Sequence, residues 1–359
     1  MKKILFAVLL VSLFAYGCGK VVDAVNPNAS TTPATPPSTA TSVTLSGGNV
    51  SASGTGVSFN FSAVDQDSTP LTNITLGNIT AEVYDTEPSA ASIQGISAKG
   101  VINVAFTDLT SGANTGKPIA ITLTLDKSGS MGFDDYTYTK VTTLEAAARK
   151  FVDLMSSNSQ AAVVVFDSGV SLEAAMTTDK NVIKTAINTR EAYGGATAVY
   201  SAISTSISEE AKVNATNYTR AIIAMTDGQN NSGSKTEANV TAEAIANNIP
   251  VYTVGLFDNS AEATSYSAPL KRIALTTTGT TDSYYEVIAG VTALSAGQSV
   301  HALGALNTIY TNLQNALSNA YSSTCSLSSG LTAGQSYWLK LYLNYGSFIK
   351  TLVIPFTAK

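Results

Sequence analysis

Ile119-Ala120-Ile121-Thr122-Leu123-Thr124-Leu125-Asp126-Lys127-Ser128-Gly129-Ser130-Met131 is the stretch on which the fold turns. Its first seven residues are apolar or β-branched with no break, the pattern of a strand buried on both faces of a sheet. The run then stops abruptly on a carboxylate and two hydroxyls within five residues. Alternate spacing sets Asp126, Ser128 and Ser130 on one side of the loop, and Gly129 relieves crowding of the backbone between them. Oxygen-only side chains at such a spacing suit a hard divalent cation, with Mg2+ first and Mn2+ or Ca2+ as alternatives.

The pattern extends outward from this strand. Further apolar runs occur at Ala161 to Phe166, Ala221 to Met225 and Val251 to Leu256. Between them lie helical periodicities: Leu144, Ala148, Phe151 and Met155 share one face, as do Leu306, Ile309, Leu313 and Leu317. Strands alternating with helices predict a mostly parallel sheet covered on both sides, which binds its ligands beyond the carboxyl ends of its strands. Two more oxygen-bearing groups fall in such places. Gly194-Gly195-Ala196-Thr197 is a Gly-rich turn that opens a helix and presents Thr197. The strand ending at Met225 runs into Thr226-Asp227-Gly228 and delivers a second carboxylate.

Asp-x-Ser-x-Ser, then Thr, then Asp, in this order and context, resembles the metal-ion-dependent adhesion site of the von Willebrand factor type A domain. Ile249 to Gly255 resembles a later core strand of that family, and Leu270 to Ala274 followed by Gly279 its next helix and turn. The similarity runs from about Pro118 to Tyr321. One departure is Ala196, which stands between the Gly pair and Thr197. The resemblance implies a doubly wound, Rossmann-like α/β domain. It implies that Ser128 and Ser130 ligate the cation directly, Thr197 directly or through water, and Asp126 and Asp227 mainly through water. It also implies a protein partner whose carboxylate completes the shell. Asp134 and Asp135 lie near where some members carry a second metal, but they are displaced by one residue and read as a solvated loop. Phe133, Tyr136 and Tyr138 flank that loop, and either partner contact or the covering of a helix end accounts for them.

The remainder of the chain reads differently. Val57 to Phe61, Ile79 to Tyr84, Val101 to Phe106, Ser336 to Leu343 and Phe348 to Phe356 alternate apolar and polar residues between turn signals. They predict one small antiparallel β-sandwich built from residues 43–116 and 323–359, with the α/β domain, 117–322, inserted in it. Residues 18–42 are rich in Pro, Thr, Ala and Ser and read as a flexible tether. Residues 1–17, with Lys2, Lys3 and an apolar run from Ile4 to Ala15, read as a signal peptide. Phe14-Ala15-Tyr16-Gly17-Cys18 resembles a bacterial lipobox, with Ala15 where Leu is usual, and implies lipidation at Cys18. Gly19 after it implies the outer membrane, with the chain facing either the periplasm or the outside. Membrane contact is expected through that lipid alone.

Composition excludes several functions. Net charge is −5 over 359 residues, and no Lys/Arg cluster offers a phosphate-tracking surface, so nucleic acid is not an expected partner. The two cysteines, Cys18 and Cys325, give no disulfide framework, and Cys325 reads as a small buried hydrophobe. His301, the sole histidine, is expected in a loop before the last helix, away from the metal-loop serines. No Ser/His/Asp set, zinc set or phosphate-cradling Gly-Lys-Ser/Thr loop is present. The expectation is a non-enzymatic, metal-dependent adhesion module on the cell envelope. The alternative is a structural scaffold lipoprotein in which any metal is incidental.

Overall fold

The computed structural model describes residues 30–37, 39–88, 102–111, 117–131, 140–188, 194–288 and 296–359. Four strands come first: β1 (Val43–Ser53), β2 (Gly56–Asp65), β3 (Ile79–Tyr84) and β4 (Ile102–Thr110). The chain then leaves this sheet and returns to it only at β11 (Tyr321–Leu327), β12 (Ser336–Tyr345) and β13 (Phe348–Thr357). Together they form a seven-stranded antiparallel sheet in the order β1-β2-β11-β4-β3-β12-β13. Among the described residues its two halves join through Glu82↔Asn103 and Val83↔Ile102, and it folds over on itself as a sandwich. Phe59, Phe61, Tyr321, Leu339, Leu341 and Ile354 fill the space between the layers. The rings of Phe61 and Tyr321 stack 5.0 Å apart.

The excursion between β4 and β11 is an inserted α/β domain. Its elements are β5 (Ile119–Asp126), α1 (Lys140–Leu154), β6 (Gln160–Phe166), β7 (Val170–Thr177), α2 (Lys180–Ile187) and α3 (Val199–Glu210). They continue as β8 (Thr219–Thr226), α4 (Glu237–Asn247), β9 (Val251–Phe257), α5 (Ser260–Thr278), β10 (Tyr284–Ile288) and α6 (Ala296–Ser318). The sheet order is β10-β9-β8-β5-β6-β7, parallel except for β7, which pairs antiparallel with β6. One face packs on α1, α2 and α6, with Phe151 and Tyr310 5.5 Å apart at its centre. The other packs on α3, α4 and α5 through Val199, Ile203, Val240 and Ile273. Each such side chain contributes roughly 1.5–3 kcal/mol by leaving water. Helix starts follow their caps: Asp179, Thr236 and Asn259 accept from the first-turn amides of α2, α4 and α5.

Four details depart from the sequence expectations. Ala34, Thr39 and Thr41, within the stretch expected as a tether, are held to the sandwich. The Asn78 side chain accepts from Ala34 N (2.9 Å) and donates to Ala34 O (2.8 Å), and Gln66 holds Thr39 and Thr41. Pro and Thr composition hid this, because here the partners are backbone atoms and not side chains. Strand β11 was not expected, since its Ser/Thr content masks the inward alternation of Tyr321, Ser323, Cys325 and Leu327. Strands β7 and β10 were missed too; both are edge strands with mixed exposure. His301 lies within α6, not in a loop. The signal sequence, Cys18, Asp134, Asp135 and the aromatics Phe133, Tyr136 and Tyr138 fall outside the described residues.

The two domains meet at the amino ends of the parallel strands. Asn49 donates to Arg220 O (3.0 Å) at the start of β8, and the hydroxyls of Ser46 and Tyr252 lie 3.3 Å apart. Gly279 caps α5 with φ +81°, and a Cβ there would run into the Val353 carbonyl oxygen of β13. Only glycine adopts that conformation in that space without strain. Gly279→Ala is therefore expected to cost about 1–3 kcal/mol in chemical denaturation, while an unchanged midpoint would contradict this packing.

Candidate metal centre

Strand β5 turns toward β6 on one side, and the chain later crosses to lay β8 on its other side. The crevice at the carboxyl ends of β5 and β8 is thus the topological switch point of the sheet. In parallel register Leu125 pairs with Met225, so Asp126 and Thr226 end side by side. Thr226 Oγ1 donates to Asp126 Oδ2 (2.6 Å), and the Ser128 amide donates to Asp126 Oδ1 (2.8 Å). The Asp126 carboxyl is fully buried. Burial first, and then the facing Asp227 carboxylate, push it up to about 7, against the opposing pull of the Ser128 and Thr226 hydrogen bonds.

The loop after β5 is a short helical turn, Gly129–Met131, anchored by Met131 at its base. Ser128 Oγ and Ser130 Oγ lie 3.2 Å apart. Lys127, between the ligand candidates, turns the other way and pairs with Glu145 of α1 in the interior. The Gly194–Thr197 loop packs against this turn, with Gly129 N donating to Gly195 O (3.3 Å). Gly195 has φ +77°, and a Cβ there would run into the Ser168 hydroxyl. A third loop, after β8, clamps Thr197: Asn231 Oδ1 accepts from its amide (2.6 Å), and its carbonyl accepts from the Asn231 and Ser232 amides (3.0 and 3.1 Å).

Ser130, Thr197 and Asp227 consequently line one pocket of about 320 Å3, together with Lys140, Gln229, Asn231, Asp258, Glu262 and Tyr266. Ser128 and Asp126 are buried and do not line it; Ser128 adjoins it through its contact with Ser130, and Asp126 lies behind Ser128. Among the described residues no group of three or more His, Cys, Asp and Glu side chains forms a metal-binding arrangement. The crevice instead carries two carboxylates, Asp126 and Asp227, beside the hydroxyls of Ser128, Ser130 and Thr197. The Thr226 hydroxyl and Asp258 were not singled out from the sequence. Both carry a readable signal, since each ends or directly follows a buried strand. Lys140 carried none, because it reaches the crevice from the first turn of α1. Its Nζ lies 3.3 Å from Asp227 Oδ2 and 3.1 Å from Asp258 Oδ2. Burial by itself would pull that ammonium down, yet the two carboxylates outweigh it and hold it above its ordinary range.

Residues 121–229, from β5 to the loop after β8, match the von Willebrand factor type A domain family. The chain carries a von Willebrand factor type A domain. The matched span includes all five oxygen-bearing residues of the crevice. Domains of this family are usually non-catalytic binding modules, and they often take a divalent cation. Similar solved structures include BatB from Bacteroides thetaiotaomicron, at 17% identity over 55% of this chain and 99% of that one, with a TM-score of 0.39. The von Willebrand domain of the type V pili tip protein Mfa5 from Porphyromonas gingivalis matches at 12% identity over 56% and 97%, with a TM-score of 0.40. A von Willebrand factor type A protein from Catenulispora acidiphila matches at 12% over 89% and 73%, with a TM-score of 0.39. No curated protein matches the chain by sequence.

A pH dependence follows from Asp126. Its folded-state value near 7 lies above the ordinary 3.8. The unfolded chain therefore releases this proton first, and stability is lost as pH rises from about 4 to about 7. In metal-free buffer the melting temperature of the wild type should decline across that window, and the decline should be shallower in Asp126→Asn. Parallel pH profiles for the two proteins would exclude the effect.

Proposed function

We propose that this chain is a metal-ion-dependent binding module of the bacterial cell envelope, in which Asp126, Ser128, Ser130, Thr197 and Asp227 hold one divalent cation. The observation that carries this reading is the convergence of Ser130, Thr197 and Asp227, from three separated loops, on one pocket beside the Ser128 hydroxyl and the buried Asp126 carboxyl. The donor set fits such an ion. It is all oxygen, it combines two like charges that repel each other, and its hydroxyls add coordination without adding charge.

When bound, the cation supplies concentrated positive charge and a coordination position open to an external carboxylate. The protein's own groups do the rest. Thr226 and the Ser128 amide fix the Asp126 carboxylate so that it cannot rotate away. Such outer contacts orient ligands and tune a metal site. The Asn231 clamp fixes the Thr197 loop, and the Gly195 carbonyl accepts from Gly129 N to hold that loop against the serine turn. The pocket beyond, with Gln229 and Tyr266 on its wall, gives a partner's acidic side chain room to enter. Mg2+ is the expected ion, with Mn2+ and Ca2+ as alternatives, and no catalysis is assigned. The envelope location rests on the sequence alone, through the signal-like residues 1–17 and the lipobox-like Cys18, with outer-membrane sorting as the finer expectation.

The test is a calorimetric and thermal-shift titration with Mg2+, Mn2+ and Ca2+ on wild type and Asp126→Ala. Wild type should gain about 2.7 kcal/mol at a hundredfold excess over Kd, and the variant should gain nothing. Equal responses would remove the cation from the proposal. Partner capture should disappear in EDTA and in Asp126→Ala alike. Capture that survives both would favour a scaffold role instead.

A further inference from the structure

Lys140 lies outside the adhesion motif, yet its ammonium enters the same crevice. Its side chain is 8% exposed, and it sits between two carboxylates: Asp227 at 3.3 Å and Asp258 at 3.1 Å. Asp258 directly follows β9, the strand next to β8, so these carboxylates stand at neighbouring strand ends. Ser130, Thr197 and Asp227 line the pocket that Lys140 also lines. One carboxylate, Asp227, is thus shared between an internal monovalent cation and the ligand set proposed for a divalent one. We infer that Lys140 is a tethered counter-ion that competes with the divalent cation for Asp227 and so sets how tightly the site holds metal.

The inference rests on the divalent-cation reading above and concerns its regulation. A lysine is suited to this part. Its ammonium is a compact point charge on a flexible stem, with none of the fixed two-pronged geometry that would lock an arginine on one carboxylate. Asp258 gives the ammonium a second resting place. Its side chain is 34% exposed against 10% for Asp227, so the ion pair with Asp258 survives at the rim when Asp227 turns to a metal. With Lys140 on Asp227, the buried pair Asp126 and Asp227 carries less unbalanced negative charge. With a divalent ion on Asp227, the nearby ammonium repels it. Both effects lower the net gain on metal uptake, and they are strong in a crevice where screening by salt is weak.

The experiment compares wild type with Lys140→Met, Lys140→Gln and Lys140→Arg by calorimetric titration with MnCl2 and MgCl2, and by melting temperature in chelator. Removing the charge should tighten Mn2+ binding on the order of tenfold in the Met and Gln variants, while Arg, which keeps it, should show no such tightening. In chelator the Met and Gln variants should melt lower than wild type, and metal should raise them by more. Wild-type affinity in Lys140→Met and Lys140→Gln would overturn the inference and leave the cation site standing. Absence of binding in every protein, wild type included, would bring down both. If Lys140→Met does not fold, Lys140→Gln decides the matter by the same criterion.

Discussion

Two carboxylates, Asp126 and Asp227, are forced together at the carboxyl ends of adjoining parallel strands, and much of the surrounding structure deals with that crowding. The register of β5 on β8 leaves no freedom in their placement, because both strands are buried along their whole length. A buried charge needs hydrogen bonds or a counter-charge. Asp126 receives the bonds, from Thr226 and the Ser128 amide, and still is driven toward its protonated form. Asp227 receives the counter-charge from Lys140. Ser130 and Thr197 line the same pocket as Asp227, and the Ser128 hydroxyl lies 3.2 Å from that of Ser130. The crevice thus sets two crowded carboxylates beside neutral hydroxyls and one ammonium.

The inserted arrangement directs that crevice away from the β-sandwich. The sandwich holds the α/β domain by the amino ends of β8 and β9, through Asn49 on Arg220 and Ser46 on Tyr252, and by the α5 terminus at Gly279. Parallel strands point their opposite ends the other way, so Asp126, Asp227 and Asp258 sit at the far edge from these contacts. Such an edge is the one a partner can reach without disturbing the sheet packing. The cost is borne at the junction, where Gly279 must keep a left-handed conformation to let β13 pass.

Much of this was legible in the sequence, and what was not has physical reasons. The α/β domain was readable because its central strands are unbroken apolar runs, and its helices bury regular faces such as Leu144, Ala148 and Phe151. The convergence of Ser130, Thr197 and Asp227 on one pocket was legible because each belongs to a loop that follows a buried strand or opens a helix, while Asp126 ends such a strand. Strand β11 was not, since Ser322, Ser323, Thr324 and Ser326 carry no apolar alternation, and their backbone pairing with β2 and β4 is a tertiary fact. The anchoring of Ala34, Thr39 and Thr41 was hidden for a similar reason: Asn78 and Gln66 hold them by main-chain atoms, which composition does not record. Lys140 was silent because only the path of α1 brings it to Asp227. Cys325 was read correctly as a buried small residue, and burial pushes its thiol up to about 12, beyond easy reactivity.

The balance of ligand types bears on why hydroxyls outnumber carboxylates at such a crevice. Two carboxylates formally match a divalent charge, and a third or fourth would leave the site negative and repel an incoming acidic group. In the proposed set three hydroxyls would add oxygen contacts without adding charge, which would leave room for an external carboxylate. Lys140 shifts the same balance from the other side. Parked between Asp227 and Asp258, it keeps a positive charge within reach of the pocket whether or not a metal is held. Its charge thereby offsets part of the negative charge that Asp126 and Asp227 concentrate in the crevice.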